Sequence, residues 1–181
     1  MDRPVRKPTR LKEYDYSSPG AYFITVCTRG KRCILSRIVK PHGGDVGAIH
    51  ESPAADVLLT PAGECVLRVL ETFPFRWPMI SLDRYVIMPN HIHLLLTIDG
   101  ERAIRESPLQ PGGKRSLLDR AVGYLKMNSS REIHRLYPDL EVWQRSYYDH
   151  IIRNEDDYRT IAEYIDNNPA KWADDRFYTG S

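Results

Sequence analysis

What the chain lacks narrows its class first. No stretch approaches the roughly eighteen continuous apolar residues that a membrane span needs. The N-terminal segment MDRPVRKPTRLKEY is basic, but no apolar stretch leads from it to a small-residue cleavage site. It does not read as a secretory signal, so a cytoplasmic protein with no membrane partner is expected. Cysteine is scarce and odd in number. Cys27, Cys33 and Cys65 contain no C-x-x-C pair, which argues against a disulfide framework and against a cysteine zinc site. A dominant charge is missing too. Twenty-six Lys and Arg against 24 Asp and Glu leave a net charge of +2, so bulk charge does not point to nucleic acid. No internal repeat or low-complexity tract is present.

What is there fits one globular domain spanning 1–181. Apolar residues make up 41% of the chain and charged residues 28%, and 181 residues can bury a sizeable core. The positive charge is clustered. Residues 1–13 form a basic N-terminal arm, and Arg29, Lys31, Arg32, Arg37 and Lys40 follow. A later segment carries Lys114, Arg115, Arg120, Lys126, Arg131 and Arg135. Such clusters can contact phosphates, although any one of them also fits a solvated surface.

The pattern predicts a strand over 21–28, AYFITVCT. Residues 41–59 read as a loop or hairpin insertion, with Gly and Pro punctuating 41–53. A helix should start at Thr60-Pro61 and end at Pro74. Strands are predicted over 80–88 and 91–98, joined at Pro89-Asn90. Residues 99–114 form a polar loop, and a helix runs from Ser116 to about Leu136. Residues 142–152 read as an irregular strand. Asn154 can cap a last helix with an acidic first turn, closed by Pro169. This order predicts an α+β domain: a ferredoxin-like antiparallel sheet with helices packed on one face.

Two features carry candidate chemistry. In His91-Ile92-His93, strand alternation puts both imidazoles on one face and Ile92 on the other. Two imidazoles on one side of a sheet make half of a metal site. The pair alone fits two partly exposed strand histidines equally well. The second feature is the last helix. Tyr158, Ile161, Ala162 and Ile165 form its apolar stripe. Tyr164 falls about 110° from the stripe's centre, and Asn168, four residues on, lies on the same side as Tyr164. Both positions are beside the packed face rather than inside it. They suit a nucleophile and an auxiliary ligand, or simply a boundary tyrosine and a helix-ending asparagine.

The stretches AYFITVCTRGKR, LDRYVIMPNHIHLLLTI and WQRSYYDHIIRNEDDYRTIAEYIDNNPAKW resemble the REP-associated tyrosine transposases. These belong to the HUH superfamily of single-tyrosine transposases and nickases. The likeness runs from about residue 14 to the end and is weakest over 41–59. It implies a ferredoxin-like fold with His91 and His93 as metal ligands on a central strand. It also implies Tyr164 as nucleophile. A glutamine often serves as third ligand four residues after that tyrosine; here Asn168, one methylene shorter, stands in the place.

The implied activity is a metal-dependent single-stranded DNA endonuclease and strand transferase, acting at hairpin-type DNA through a 5′-phosphotyrosine link. Mg²⁺ or Mn²⁺ suits a phosphate oxygen. A free phenol has a pKa of about 10, so Tyr164 needs help to lose its proton. Lys126, Arg131, Arg29 and Arg32 are candidates for DNA contact, and exposed aromatics could stack on unpaired bases. His150, in YYDH, is a candidate for site support, with packing as the rival reading; Tyr147 and Tyr148 read first as packing. Two other activities remain open. One is a domesticated module that binds a DNA hairpin without cutting it. The other is a metal-dependent phosphoesterase that uses water. A homodimer, with the tyrosine helix acting in cis or in trans, is compatible with the resemblance.

Overall fold

A computed structural model describes Tyr16 and residues 18–39, 56–100 and 116–179. The N-terminal arm 1–13 and most of the predicted loops over 41–53 and 99–114 lie outside the described residues. Four strands form the main sheet: β1 (Gly20–Cys27), β4 (Ile80–Ile87), β5 (His91–Ile98) and β6 (Tyr148–Ile152). Their spatial order is β4-β5-β1-β6, and every pair is antiparallel. With the helices α1 (Pro61–Glu71) and α3 (Leu117–Leu136) between them, this is the expected ferredoxin-like β-α-β-β-α-β arrangement.

Alternation along β1 and β5 assigns the two faces. Tyr22, Ile24, Val26, Ile92, Leu94 and Leu96 point to the main core, where α1 and α3 pack. Phe23 and Leu95 point the other way, into a smaller core built with Val86 and Met88. The last helix, α4 (Glu155–Asn167), lies there. The helices are therefore not all on one face. α1 and α3 share a face, whereas α4 crosses the opposite one, because its stripe of Tyr158, Ile161, Ala162 and Ile165 meets a second apolar patch. This explains why β5 is buried along nearly its whole length.

Local chemistry sets the ends of the helices. Thr60 caps α1 by accepting from the Gly63 amide, and Pro61 occupies the first turn. Pro74 does not end the helical region. It lies in the first turn of a short helix, α2 (Phe73–Arg76), which follows α1 after a turn at Thr72. Ser116 and Asp119 form a reciprocal capping box on α3. Gly63 admits no side chain, since an added Cβ would lie 2.0 Å from the Leu35 carbonyl oxygen.

Two short strands complete the fold. β2 (Ser36–Val39) pairs with β3 (Asp56–Leu59) in an antiparallel ribbon, and Ile38 and Val57 pack on the smaller core. The predicted strand over 142–152 is shorter than expected. Only Tyr148–Ile152 joins the ladder, while Trp143 makes an isolated bridge to Thr28. The cause is local. The Lys126 ammonium donates to the carbonyl oxygens of Gln144 and Arg145 at 2.6 and 2.9 Å, and Trp143 donates to the Ser129 hydroxyl. The segment is thus tied to α3 rather than to the sheet.

Candidate metal and nucleophile site

His91 and His93 leave β5 on the face covered by α4, and both are fully buried. Their Nε2 atoms lie 3.0 Å apart. Each Nδ1 has its own partner. Asn90 donates its amide hydrogens to the carbonyls of Phe177 and Lys31, so its Oδ1 accepts from His91 Nδ1–H at 2.9 Å. That leaves His91 Nε2 with a bare lone pair. Thr25, directly opposite His93 across the β1–β5 ladder, places its hydroxyl 2.9 Å from His93 Nδ1. A hydroxyl can donate or accept, so it supports either tautomer of His93. With Thr25 donating, His93 Nε2–H donates to His91 Nε2 and every polar atom of the pair is satisfied. With Thr25 accepting, both Nε2 lone pairs converge on one point. The second state is the one a cation requires, and it needs only a moved proton and a rotated hydroxyl.

Burial holds both rings neutral. It pushes the His91 pKa down to about 4, with Arg176 and Lys31 adding to the effect and Asp175 opposing it. His93 lies well below its usual range for the same first reason, and then because of His91 and Arg176. Neutral imidazoles are the form that binds metal.

α4 brings the tyrosine. Its stripe packs on the sheet, and Tyr158 donates to Asp83 Oδ2 at 3.1 Å, which also accepts from Thr97. Tyr164 then stands over the histidines. Its hydroxyl is 3.4 Å from His93 Nε2 and donates to Asp175 Oδ2 at 3.3 Å. Its ring is edge-on to Phe23, and 40% of the residue is exposed. Partial burial raises the Tyr164 pKa, and the Asp175 charge raises it further.

Asn168 is buried, deeper than its helical position alone implied. Its Nδ2 donates to Asp175 Oδ2 at 2.9 Å, which fixes the amide plane. Its Oδ1 is buried and has no partner. A buried carbonyl oxygen without a donor is costly, and a cation would satisfy it. Asp175, with His91 and His93, also forms a cluster whose ligand atoms lie within 4.8 Å of one another. Two donors about 2.1 Å from an ion and at right angles would be about 3.0 Å apart, matching the spacing of the two Nε2 atoms. The two imidazoles and the Asp175 carboxylate could therefore hold a divalent ion, and the unpartnered Asn168 oxygen lies on a side chain bonded to Asp175.

Asp175 is the participant that sequence reasoning missed. It follows the last helix in a run with no periodicity, and only the chain's return over the site identifies it. The same return places Phe177 4.5 Å from the His91 ring and Trp172 6.0 Å from it, as a cover. Thr25 and Asn90 were missed as well, although Asn90 sits inside the MPNHIHLLL stretch. A surface cleft beside the cover is lined by Tyr164, Asn168, Lys171, Asp175 and Arg176.

The other candidates are not among the groups bonded to the histidines. His150 is on β6, opposite Phe23, and pairs with Asp157 at 2.9 Å. Tyr147 packs on the main core and donates to Asp119, whereas Tyr148 is exposed on the site face. Arg29 ion-pairs with Glu141, and Arg32 donates to the Glu141 carbonyl. Lys126 and Arg131 lie on α3, across the sheet from the histidines, and the Lys126 ammonium is held by the two carbonyls already described.

No family model matches the chain. The chain is 32% identical over 181 residues to an uncharacterized protein of Haemophilus influenzae, across 96% of this chain and 93% of that protein. It is also 32% identical over 104 residues to a protein of the same organism provisionally named as a REP-associated tyrosine transposase. That match covers 56% of this chain and about half, 53%, of the relative. Among solved structures, the fold matches a REP-associated tyrosine transposase bound to a REP hairpin, with a TM-score of 0.56 and 17% identity. The match covers 90% of this chain and 73% of that one. The chain therefore shares its fold with that transposase. It belongs to one family with the Haemophilus relative that it matches over nearly its whole length, and it is similar over about half its length to the protein provisionally named as a REP-associated tyrosine transposase. Among the described residues, no helix is long and apolar enough to cross a membrane.

Proposed function

We propose that the protein is a metal-dependent nuclease and strand transferase for single-stranded DNA at hairpins, with Tyr164 as nucleophile. The observation that carries this reading is the Tyr164 hydroxyl standing 3.4 Å from the converging histidine pair, beside an unpartnered Asn168 oxygen. His91, His93 and Asn168 would hold Mg²⁺ or Mn²⁺, with Asp175 in reach as a carboxylate ligand. Bound there, the ion would supply positive charge for a phosphate oxygen.

The protein's own groups do the rest. Asp175 Oδ2 accepts the phenolic proton, since it already accepts the Tyr164 hydrogen bond. The Tyr164 oxygen attacks phosphorus, a bond forms between them, and the bond from phosphorus to the 3′-oxygen breaks. The 3′-oxygen leaves as a hydroxyl after taking up the proton that Asp175 received from Tyr164. Attack by a 3′-hydroxyl on the phosphotyrosine reverses these changes and rejoins a strand. Arg176 and Lys171 line the cleft beside Tyr164 and suit the flanking phosphates. Access requires the segment carrying Trp172 and Phe177 to lift from the histidines. A cytoplasmic site of action, where DNA is present, follows from the same reading.

The test is incubation with labelled hairpin DNA and Mg²⁺ or Mn²⁺, followed by a denaturing gel. A covalent adduct is expected in the wild type and absent in Tyr164→Phe. An adduct that persists in Tyr164→Phe and vanishes in Tyr148→Phe would overturn the assignment. Cleavage without an adduct would indicate a water-using phosphoesterase, and binding without cleavage a hairpin-binding module.

A further inference from the structure

The helix layer, across the sheet from the histidines, carries a second cationic feature. Trp77 follows α2 directly and is 4% exposed. The Arg76 guanidinium lies 4.9 Å from its ring centroid, and the Arg120 guanidinium lies 5.5 Å from the same ring. Arg76 is also 5.9 Å from the ring of Tyr124, which lies one turn after Arg120 on α3 and is fixed by a hydroxyl contact with Thr72. Among the described residues, neither guanidinium is ion-paired with a carboxylate.

Two like charges gathered on one indole without a counter-ion make an anion subsite. A guanidinium held over an aromatic face keeps N–H donors that can bind a phosphate. Phe75, next in sequence to Arg76, is 88% exposed. An exposed aromatic beside an arginine pair matches nucleic acid, which offers both a phosphate and the flat face of a base.

We infer that Arg76, Arg120 and Phe75 form a second DNA contact, taking a backbone phosphate between the two guanidiniums and an unpaired base on the Phe75 ring. The patch lies where β4 begins, while at its other end His93 pairs with Val86 and His91 lies just past Ile87. Seven strand steps separate those ends, about 23 Å. The contact would hold DNA well away from the scissile bond. The inference rests on the DNA reading of the main site.

Binding of a fluorescein-labelled DNA hairpin with a single-stranded 5′ extension tests it, followed by anisotropy across a salt series without metal. The double variant Arg76→Gln/Arg120→Gln should lose about tenfold in affinity, and its log–log salt slope should fall by about 1 to 2. Arg76→Lys/Arg120→Lys keeps the charge and should keep the slope, which separates lost contact from lost folding. Phe75→Ser should weaken binding of a single-stranded probe more than of a blunt duplex. A control pair, Arg135→Gln/Arg159→Gln, removes two arginines that are already ion-paired.

If the wild type binds the probe and the Gln double variant matches it in affinity and slope, the inference is wrong. An equal loss in the control pair also overturns it, because net charge alone would then explain the effect. If the wild type binds no DNA, the inference falls together with the proposed function.

Discussion

The Tyr164 hydroxyl lies 3.4 Å from His93 Nε2, although 71 positions separate the two residues. Two packing events produce this contact. The α4 stripe seats on the second face of the sheet, and Asp83 holds Tyr158 one and a half turns earlier. The tyrosine is thereby presented to the histidines within a single chain.

The groups behind the histidines should matter to metal binding almost as much as the histidines themselves. Thr25→Val removes the acceptor that the metal-binding tautomer of His93 needs, and Asn90→Ala removes the one that fixes His91. Each should weaken Mn²⁺ binding by about 10- to 100-fold in calorimetry. Tyr164→Phe should leave that affinity nearly unchanged. Wild-type affinity in Thr25→Val would show that the hydroxyl plays no part in orienting His93.

Stability without metal should fall in mild acid. His91 and His93 have folded pKa values below the unfolded value of about 6.5. Above pH 6.5 both states are neutral and the folded protein is at its most stable. As the pH falls from 6.5 towards 4, the unfolded rings take up protons while the folded ones do not, so unfolding is favoured. Each ring contributes up to about 1.4 kcal/mol per pH unit. Thermal melts from pH 7.5 to 4.5 should show a steeper decline in wild type than in His91→Phe/His93→Phe. Parallel declines would mean that the rings are not held neutral by burial.

Some of this was legible in the sequence for definite reasons. His91 and His93 share a face because a strand alternates, and Tyr164 leaves its helix beside the stripe because 100° steps put it there. The order of strands and helices carried the ferredoxin-like topology. The second covered face was less visible, since β5 reads LLL at its centre and a continuous apolar run does not say what lies on each side. Asp175 was illegible because no local pattern distinguishes it from Asp174. The shortening of the last strand was hidden for a related reason: nothing in VWQRSY reveals that its carbonyls face a lysine on another helix.

If the histidine pair holds a metal as proposed, comparing two substitutions assigns the third ligand. Asn168 offers a neutral, unpartnered oxygen, whereas the Asp175 carboxylate already accepts from Asn168, Tyr164 and the Phe177 amide. Occupied lone pairs make a poorer ligand, so Asn168→Ala should reduce Mn²⁺ affinity more than Asp175→Asn. Asp175→Asn should lower the Tyr164 pKa by removing a nearby negative charge. A ¹³C-tyrosine NMR titration reads that shift directly. The opposite ranking in calorimetry would make Asp175 the ligand and leave Asn168 as its support.

Lys126 should behave as a structural clamp. Its ammonium donates to two carbonyl oxygens, and burial lowers its pKa, so its charge is turned towards the protein. Lys126→Met keeps much of the side chain's apolar length but leaves the Gln144 and Arg145 carbonyls without that donor. The cost should be about 1 to 3 kcal/mol in denaturant unfolding. Hairpin DNA affinity should remain within about twofold of wild type, because a lysine that makes no phosphate contact leaves the salt slope unchanged. Unaltered stability with a slope reduced by about 1 would instead place Lys126 on the DNA backbone. Arg131, exposed on the same helix, provides the comparison: Arg131→Gln should leave stability within about 0.5 kcal/mol of wild type.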